Sequence, residues 1–272
     1  MIRTEKIAGE RPSQIGIVRR LGVAPVKGMR LLCPNEIMIT AHGAVGDRRF
    51  FLIDEESKML GAEVARLPAL VADWKMDPET LDLHFPEGST TSGPVSLAGN
   101  VQVSAWDGPA VAGRVVSGPW AGALSDYIGR PVQLVLSQDQ GGGVDVQPIT
   151  LVSVASVQRL ADELETPSLD PDRFRATLLL DGISAHQEDE WYGRTVLVGD
   201  AALDITGPIP RCVATTFNPV TGRRDFKTLH AIGRYRTTIH AGPLGKAALP
   251  FGVYALVSQA GRVRVGDGFT IQ

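Results

Sequence analysis

The sequence predicts a mainly β (α+β) protein made of two β-barrel-type domains with few helices. Three observations predict it. Short runs of β-forming residues recur about every ten positions with turn signals between them. The 30 Gly and 18 Pro of the 272 residues are spread along the chain rather than clustered. Only two stretches keep helical spacing. The runs at 15–21, 36–40, 49–54, 69–74, 80–85, 101–105 and 111–116 read as strands, each bounded by Gly, Pro, Asp or Asn. Gly118-Pro119 then opens a helix with Trp120, Leu124 and Ile128 on one face, stopped by Gly129 and Pro131. The polar, glycine-dense run 137–143 (SQDQGGG) has no periodicity and reads as a mobile loop or hinge. After Pro148, a strand at 149–152 feeds Ser153, a predicted N-cap, followed by Val154, Val157, Leu160, Ala161 and Leu164 on one helical face. Further strands are predicted at 176–180, 195–198, 202–206, 213–217, 252–257 and 262–265. These elements divide into a tail (1–14), an N-terminal β-domain (15–119) and a second domain with a leading helical segment (120–272).

Composition excludes several functions. With 27 Lys and Arg against 30 Asp and Glu, the net charge of −3 gives no global field for nucleic acid or an anionic membrane surface. No run approaches the ~20 apolar residues that span a bilayer. The opening residues lack the apolar core of a secretory signal, so a cytoplasmic location is expected. Two cysteines, Cys33 and Cys212, cannot build a cysteine-held iron–sulfur cluster or a four-cysteine zinc site. The five histidines show no metal-ligand spacing, and His186 lies in a charged stretch with Glu188 and Glu190. GxSxG, GxGxxG and Walker patterns are absent.

What remains is a set of basic residues beside turn-makers: Lys27 and Arg30 around Gly28, Arg48 and Arg49 after Asp47, Arg173 and Arg175 around Phe174, and Arg211 before Cys212. Singly, each reads as a solvated charge. Converged, they would form a pocket for a compact phosphate- or carboxylate-bearing anion. Cys212 follows Gly207-Pro208-Ile209-Pro210-Arg211, where two prolines stiffen the approach to a thiol. Local sequence leaves two readings open. Cys212 is a small buried hydrophobe, or it is a thiolate favoured by Arg211 for nucleophilic or soft-metal chemistry. Cys33 reads as structural.

The motifs Pro25-Val26-Lys27-Gly28 and Gly46-Asp47-Arg48-Arg49-Phe50 resemble the β-barrel domain that precedes a MOSC domain. Phe174-Arg175, Pro210-Arg211-Cys212-Val213-Ala214-Thr215-Thr216, Asn218 to Gly222 and the ending from Phe251 to Asp267 resemble the MOSC domain itself. Together they are similar to the two-domain amidoxime-reducing component family, mitochondrial and bacterial. That resemblance implies molybdenum cofactor (molybdopterin) binding and reduction of N-hydroxylated small molecules, with Cys212 as metal ligand. It implies that Lys27, Arg48, Arg175 and Arg211 hold the anionic pterin, with Gln147 at a further cofactor-contact position. It also implies a separate electron donor, either a ferredoxin or a cytochrome b5-type protein with its reductase. Pyridoxal phosphate binding is a family-level association only. The chain departs from the family pattern at Gly28, Gln147, Thr177, Pro210 and Asn218. Two other roles fit the same residues: a carrier of persulfide sulfur or of molybdenum cofactor through Cys212, and a cofactor-independent enzyme on the same scaffold.

Overall fold

A computed structural model describes residues 13–62, 64–105, 110–241 and 245–272. The chain is mainly β, with three α-helices among the described residues. The largest sheet has eight strands. Its pairings run in a ring through Ile149–Ser153, Leu178–Asp181, Gly16–Leu21, Gly268–Ile271, Thr195–Val198, Ala201–Arg211 and Lys246–Gln259, the last pairing back to Ile149–Ser153. Ile239–Ala241 adds to Lys246–Gln259 outside this ring. Alternating side chains such as Val18, Leu151, Leu180, Val196, Leu203, Val253 and Phe269 fill one buried cluster, as period-two patterning requires.

The remaining strands form smaller sheets. Five strands run in the order Met59–Leu60, Phe50–Ile53, Gln133–Ser137, Val111–Ser117 and Ser96–Val103, and Val71–Met76, Glu79–His84 and Thr90–Pro94 form an antiparallel three-stranded sheet. Among the described residues, the ends of the five-stranded sheet meet only at an isolated parallel bridge between Lys58 and Ser104, where Met59 N donates to Ser104 O and Ser104 N to Ser57 O. The ladder therefore closes continuously in the large sheet and by this single bridge in the smaller one. Hydrogen bonding also crosses the expected boundary at 119/120. Gly16–Leu21 pairs with Leu178–Asp181 and Gly268–Ile271, while Gln133–Ser137 pairs with Phe50–Ile53 and Val111–Ser117.

Helix α1, Trp120–Ile128, forms where its spacing predicts. Trp120 and Leu124 are fully buried, and Trp120 Nε1 donates to Leu81 O at 3.2 Å. Gly129 closes it at φ 84°, a left-handed conformation that glycine adopts without penalty, and its N–H donates to Ser125 O. Helix α2, Val154–Glu163, starts at the predicted cap: the Ser153 hydroxyl accepts from Ser156 N at 3.1 Å. The carboxylate of the buried Glu188 accepts from Ser153 N and from the Ser156 hydroxyl, so cap and loop lock each other. Ser153→Ala is expected to cost about 1–2 kcal/mol, the upper range for a buried cap. Urea unfolding of both proteins measures it, and an unchanged midpoint would show that the cap is dispensable.

Two expectations are corrected. Residues 213–217, expected as a strand, form a short 3₁₀ turn, Val213–Thr216. The Thr215 and Thr216 hydroxyls donate back to the carbonyls of Cys212 and Val213, a local alternative to the ladder. A third helix, α3 (Thr228–Tyr235), lies where none was expected and buries Ala231 and Ile232 against α2 and Phe251. No helix among the described residues is long and apolar enough to cross a membrane.

Candidate functional site

A cleft of about 550 Å³ lies between the ring of strands and the N-terminal sheets, and all six sequence-predicted site residues line it: Lys27, Arg48, Gln147, Arg175, Arg211 and Cys212. They come from separate stretches of the chain, and local backbone structure places most of them. Lys27 N donates to Phe50 O, which turns its side chain inward to 3% exposure. Arg48 takes a left-handed backbone (φ 49°), held because its N–H donates to Ala24 O while the Asp47 carboxylate accepts from Ala24 N. Arg175 is also left-handed (φ 51°), at the C-cap of the 3₁₀ turn Pro171–Phe174. Arg211 ends strand Ala201–Arg211, and Cys212 follows as the N-cap of the turn Val213–Thr216.

The cations are fixed in part by protein carbonyls. Arg175 Nη1 donates to Met29 O at 2.6 Å, and Arg48 Nη2 to Arg175 O at 3.3 Å. Arg211 donates through Nε to Phe251 O at 2.7 Å and through Nη1 to Phe174 O at 2.8 Å. Gly252 makes room for this arm: it sits at φ 75°, and a Cβ there would meet Leu151 O at 2.5 Å and Arg211 Nη2 at 3.3 Å. Three guanidinium nitrogens on cleft-lining residues remain buried without a hydrogen-bond partner: Arg173 Nε, on an arginine already paired with Asp225, and Arg175 Nη2 and Arg211 Nη2. A buried donor left unsatisfied costs about 1–3 kcal/mol, so the latter two donors, on arginines that line one cleft, favour an anion bound beside them.

Burial pushes Arg175 down to about 10, aided by the neighbouring Arg48 charge, and burial likewise pushes Arg211 down to about 10. Burial lowers the Lys27 ammonium below the ordinary lysine range, with Arg48 and Arg175 adding to it, although Asp145 opposes the shift. Lys27 Nζ donates to Gly143 O at 2.7 Å and pairs with the Asp145 carboxylate. Burial would raise Asp145, but Lys27, Arg48 and Arg175 hold it below its usual value. Anion affinity therefore depends on a lysine that loses its charge early. Inorganic phosphate binding by the ligand-free protein should fall as pH rises through this lowered Lys27 titration, and Lys27→Met should remove that limb. A limb unchanged in Lys27→Met, measured by calorimetry across pH, would assign it to another group.

The structure sorts the wider basic set. Arg173 lines the cleft, but its charge is committed: it pairs with Asp225 and donates to Phe217 O at 3.1 Å. Arg30 clips the carbonyls of Ala69, Pro219 and Val220, and Arg49 donates to Ser137 O, so neither is brought into the cleft. Cys212 is exposed and in no disulfide, which removes the reading of a buried hydrophobe. Cys33 is exposed as well, so it is not a core residue. His186 is half-buried against Tyr235 and Phe251, and burial pushes it down to about 4. The expected hinge at 137–143 is anchored instead. Cβ atoms on Gly142 and Gly143 would meet Ser137 Oγ at 2.0 Å and Arg48 O at 2.2 Å, and this segment leads into the cleft wall at 144–147.

Several departures have local causes. Gly28 sits at φ 84°, and a Cβ there would meet Leu67 Cδ2 at 2.7 Å and Gly61 C at 2.9 Å. Thr177 exchanges hydrogen bonds with Thr150. Asn218 Oδ1 accepts from Val220 N and Thr221 N, building the turn after Phe217. Sequence reading missed Asp145 and Tyr254. Tyr254 also lines the cleft, and burial pushes its phenol up to about 12. Tyr254 belongs to the Phe251-to-Tyr254 motif and could have been weighed. Asp145, in a glycine-rich connector, carried no local signal.

The MOSC domain family matches residues 138–270, which contain Arg175, Arg211 and Cys212. That match covers just under half of the chain. Over most of its length the chain is homologous to mitochondrial amidoxime-reducing components. It is 28% identical to component 1 from Mus musculus over 94% of this chain and 82% of that protein. With component 1 from Homo sapiens it shares 25% identity over 93% of this chain and 82% of that protein. A stretch of 125 residues is 34% identical to component 2 from Rattus norvegicus, covering 45% of this chain and 36% of the relative. Among solved structures, the YUAD protein from Bacillus subtilis is similar with a TM-score of 0.45 and 12% identity over 94% of each chain.

Proposed function

We propose that this chain is a molybdenum-cofactor reductase of N-hydroxylated small molecules, with the Cys212 thiolate as a ligand to the metal. One observation carries the reading: an exposed cysteine lines a cleft together with four basic residues, Lys27, Arg48, Arg175 and Arg211, and two of those guanidiniums, Arg175 and Arg211, each keep a buried nitrogen without a hydrogen-bond partner. Those donors fit the anionic pterin phosphate, and a thiolate is a soft ligand suited to molybdenum. When bound, the cofactor supplies the two-electron redox chemistry that splits an N–O bond. Among the described residues no three His, Cys, Asp or Glu side chains gather to hold an ion; Cys212 would be the residue that holds the metal, with the cofactor's own sulfurs as further donors.

The reaction consumes two electrons and two protons and releases an amine or amidine and water. Lys27, Arg48, Arg175 and Arg211 fix the anionic part of the cofactor. The two protons come from solvent, and the Asp145 carboxylate, held ionised by Lys27, keeps that ammonium charged and in place. The Tyr254 phenol, neutral at physiological pH because burial raises it, offers a donor to the N–O oxygen. Val144, Val146 and Ile209 form an apolar part of the wall for the substrate's carbon skeleton. A cytoplasmic protein with a separate donor fits this scheme. The test is reduction of benzamidoxime to benzamidine by cofactor-loaded protein with dithionite-reduced methyl viologen. Turnover supports the reading, and its absence in molybdenum-loaded protein contradicts it.

The exposure of Cys212 also favours a second reading, a carrier that accepts persulfide sulfur. Mass spectrometry after exposure to a cysteine desulfurase distinguishes them, since that reading requires a stable 32-dalton addition on Cys212 (about one sulfur atom).

A further inference from the structure

We infer that the exposed basic edge formed by Arg66, Arg223, Arg224 and Lys227 is the docking surface for an acidic one-electron carrier protein. This inference rests on the reductase reading above. Residues 217–240 contain Arg223, Arg224, Lys227, Arg234 and Arg236 against a single acid, Asp225, in a chain whose net charge is −3. Most of the neutralising pairs in this region are internal. Arg234 pairs with Glu163 and Arg236 with Asp189, while the Asp225 carboxylate is taken by Arg173 and Asn218. Arg223, Arg224 and Lys227 are left exposed, with no ion pair among the described residues. Since the whole molecule repels an acidic partner weakly, attraction must come from such a local edge.

The edge is rigid and joined to the cleft. Asn218 caps the turn through Val220 N and Thr221 N, and Arg30 clips the carbonyls of Pro219 and Val220 to the N-terminal sheets. The Arg224 guanidinium lies over the Phe217 ring at 5.1 Å. Gly222 at φ 66° packs on Arg66, whose N–H donates to Gly222 O, so the exposed Arg66 joins the same edge. Phe217 bridges to Arg224, and Asp225 N donates to Thr216 O at 3.3 Å. Thr216 ends the turn that Cys212 caps, so the cysteine and the basic edge belong to one hydrogen-bonded unit.

Charge complementarity points to an acidic partner, and the proposed reaction is compatible with one that delivers electrons singly. Each N–OH reduced takes two electrons and two protons, so a one-electron carrier is oxidised, released and replaced twice per turnover. Fast, repeated encounters are served by charge steering and a small polar interface rather than by a large apolar one. A preset edge of cations beside the metal ligand has that character.

The test uses cofactor-loaded protein and two acidic probes, a plant-type [2Fe–2S] ferredoxin and the soluble domain of cytochrome b5. Binding is measured by calorimetry and turnover with each reduced carrier, from low to physiological ionic strength. The expected result is binding to at least one probe that weakens with salt, as a Debye length of about 8 Å at 0.15 M dictates. Arg223→Glu combined with Arg224→Glu, and separately Lys227→Glu, should weaken that binding about tenfold or more and raise the carrier KM. Viologen-driven turnover should be unchanged, which also shows that the variants are folded. Failure of both probes to bind at low salt, or binding that survives charge reversal with its salt dependence intact, overturns the inference. Loss of viologen-driven turnover in the unaltered protein would instead count against the reductase reading, while the binding arm still decides the docking surface.

Discussion

Cys212→Ser is expected to abolish the proposed reduction of N-hydroxylated substrates while leaving the fold intact. Cys212 is exposed, and its neighbours are held by bonds that do not involve its sulfur: Thr215 to the Cys212 carbonyl, and Arg211 to Phe174 and Phe251. Stability should therefore stay within about 0.5 kcal/mol, the range of surface substitutions. Activity should fall further than it would for loss of a supporting residue. Groups that only orient metal ligands cost about 10- to 100-fold when removed, so loss of the ligand itself should exceed that range. Viologen-driven turnover and circular dichroism on the same preparation give both readouts. Full activity in folded Cys212→Ser would remove the metal-ligand role.

Arg211→Lys gives the second largest effect. The guanidinium spends Nε and Nη1 on two carbonyls and keeps Nη2 buried without a partner, a fork that an ammonium cannot reproduce. One charge-assisted hydrogen bond is worth about 1.5–3 kcal/mol, or about 10- to 150-fold in affinity. Cofactor retention through dialysis should fall by that order although the formal charge is kept. Retention equal to the unaltered protein would show that Nη2 is not aimed at the ligand.

The sequence carried much of this architecture where short-range chemistry decides it. Helix α1 ends at Gly129 because a left-handed cap needs glycine, and helix α2 begins at Ser153 because its hydroxyl replaces a missing backbone acceptor. Long-range pairing was not legible. Nothing local tells Gly16–Leu21 to join strands near the C-terminus, or Gln133–Ser137 to join the N-terminal sheet. Helix α3 has no side-chain cap and forms against Phe251 and α2, a tertiary cause that its own residues do not announce. Residues 213–217 look β-branched and extended, yet two threonine hydroxyls bond backward and curl them into a turn.

The site divides the same way. Lys27, Arg48, Arg175, Arg211 and Cys212 stood beside turn-makers, and each proves to sit at a turn, cap or strand end that aims it into one cleft. Their convergence depends on the fold, so the residues alone read as scattered surface charges. Asp145 lay beyond sequence reasoning because its meaning comes from the buried Lys27 that pairs with it from a distant strand connection.

Molybdenum and pterin content, measured by elemental analysis and oxidative fluorescence on protein produced in a host that makes the cofactor, tests the central claim most directly. The account predicts near-stoichiometric molybdenum with pterin in the unaltered protein and loss of the metal in Cys212→Ser. Folded protein that takes up neither, in a host that loads other molybdenum enzymes, would contradict it.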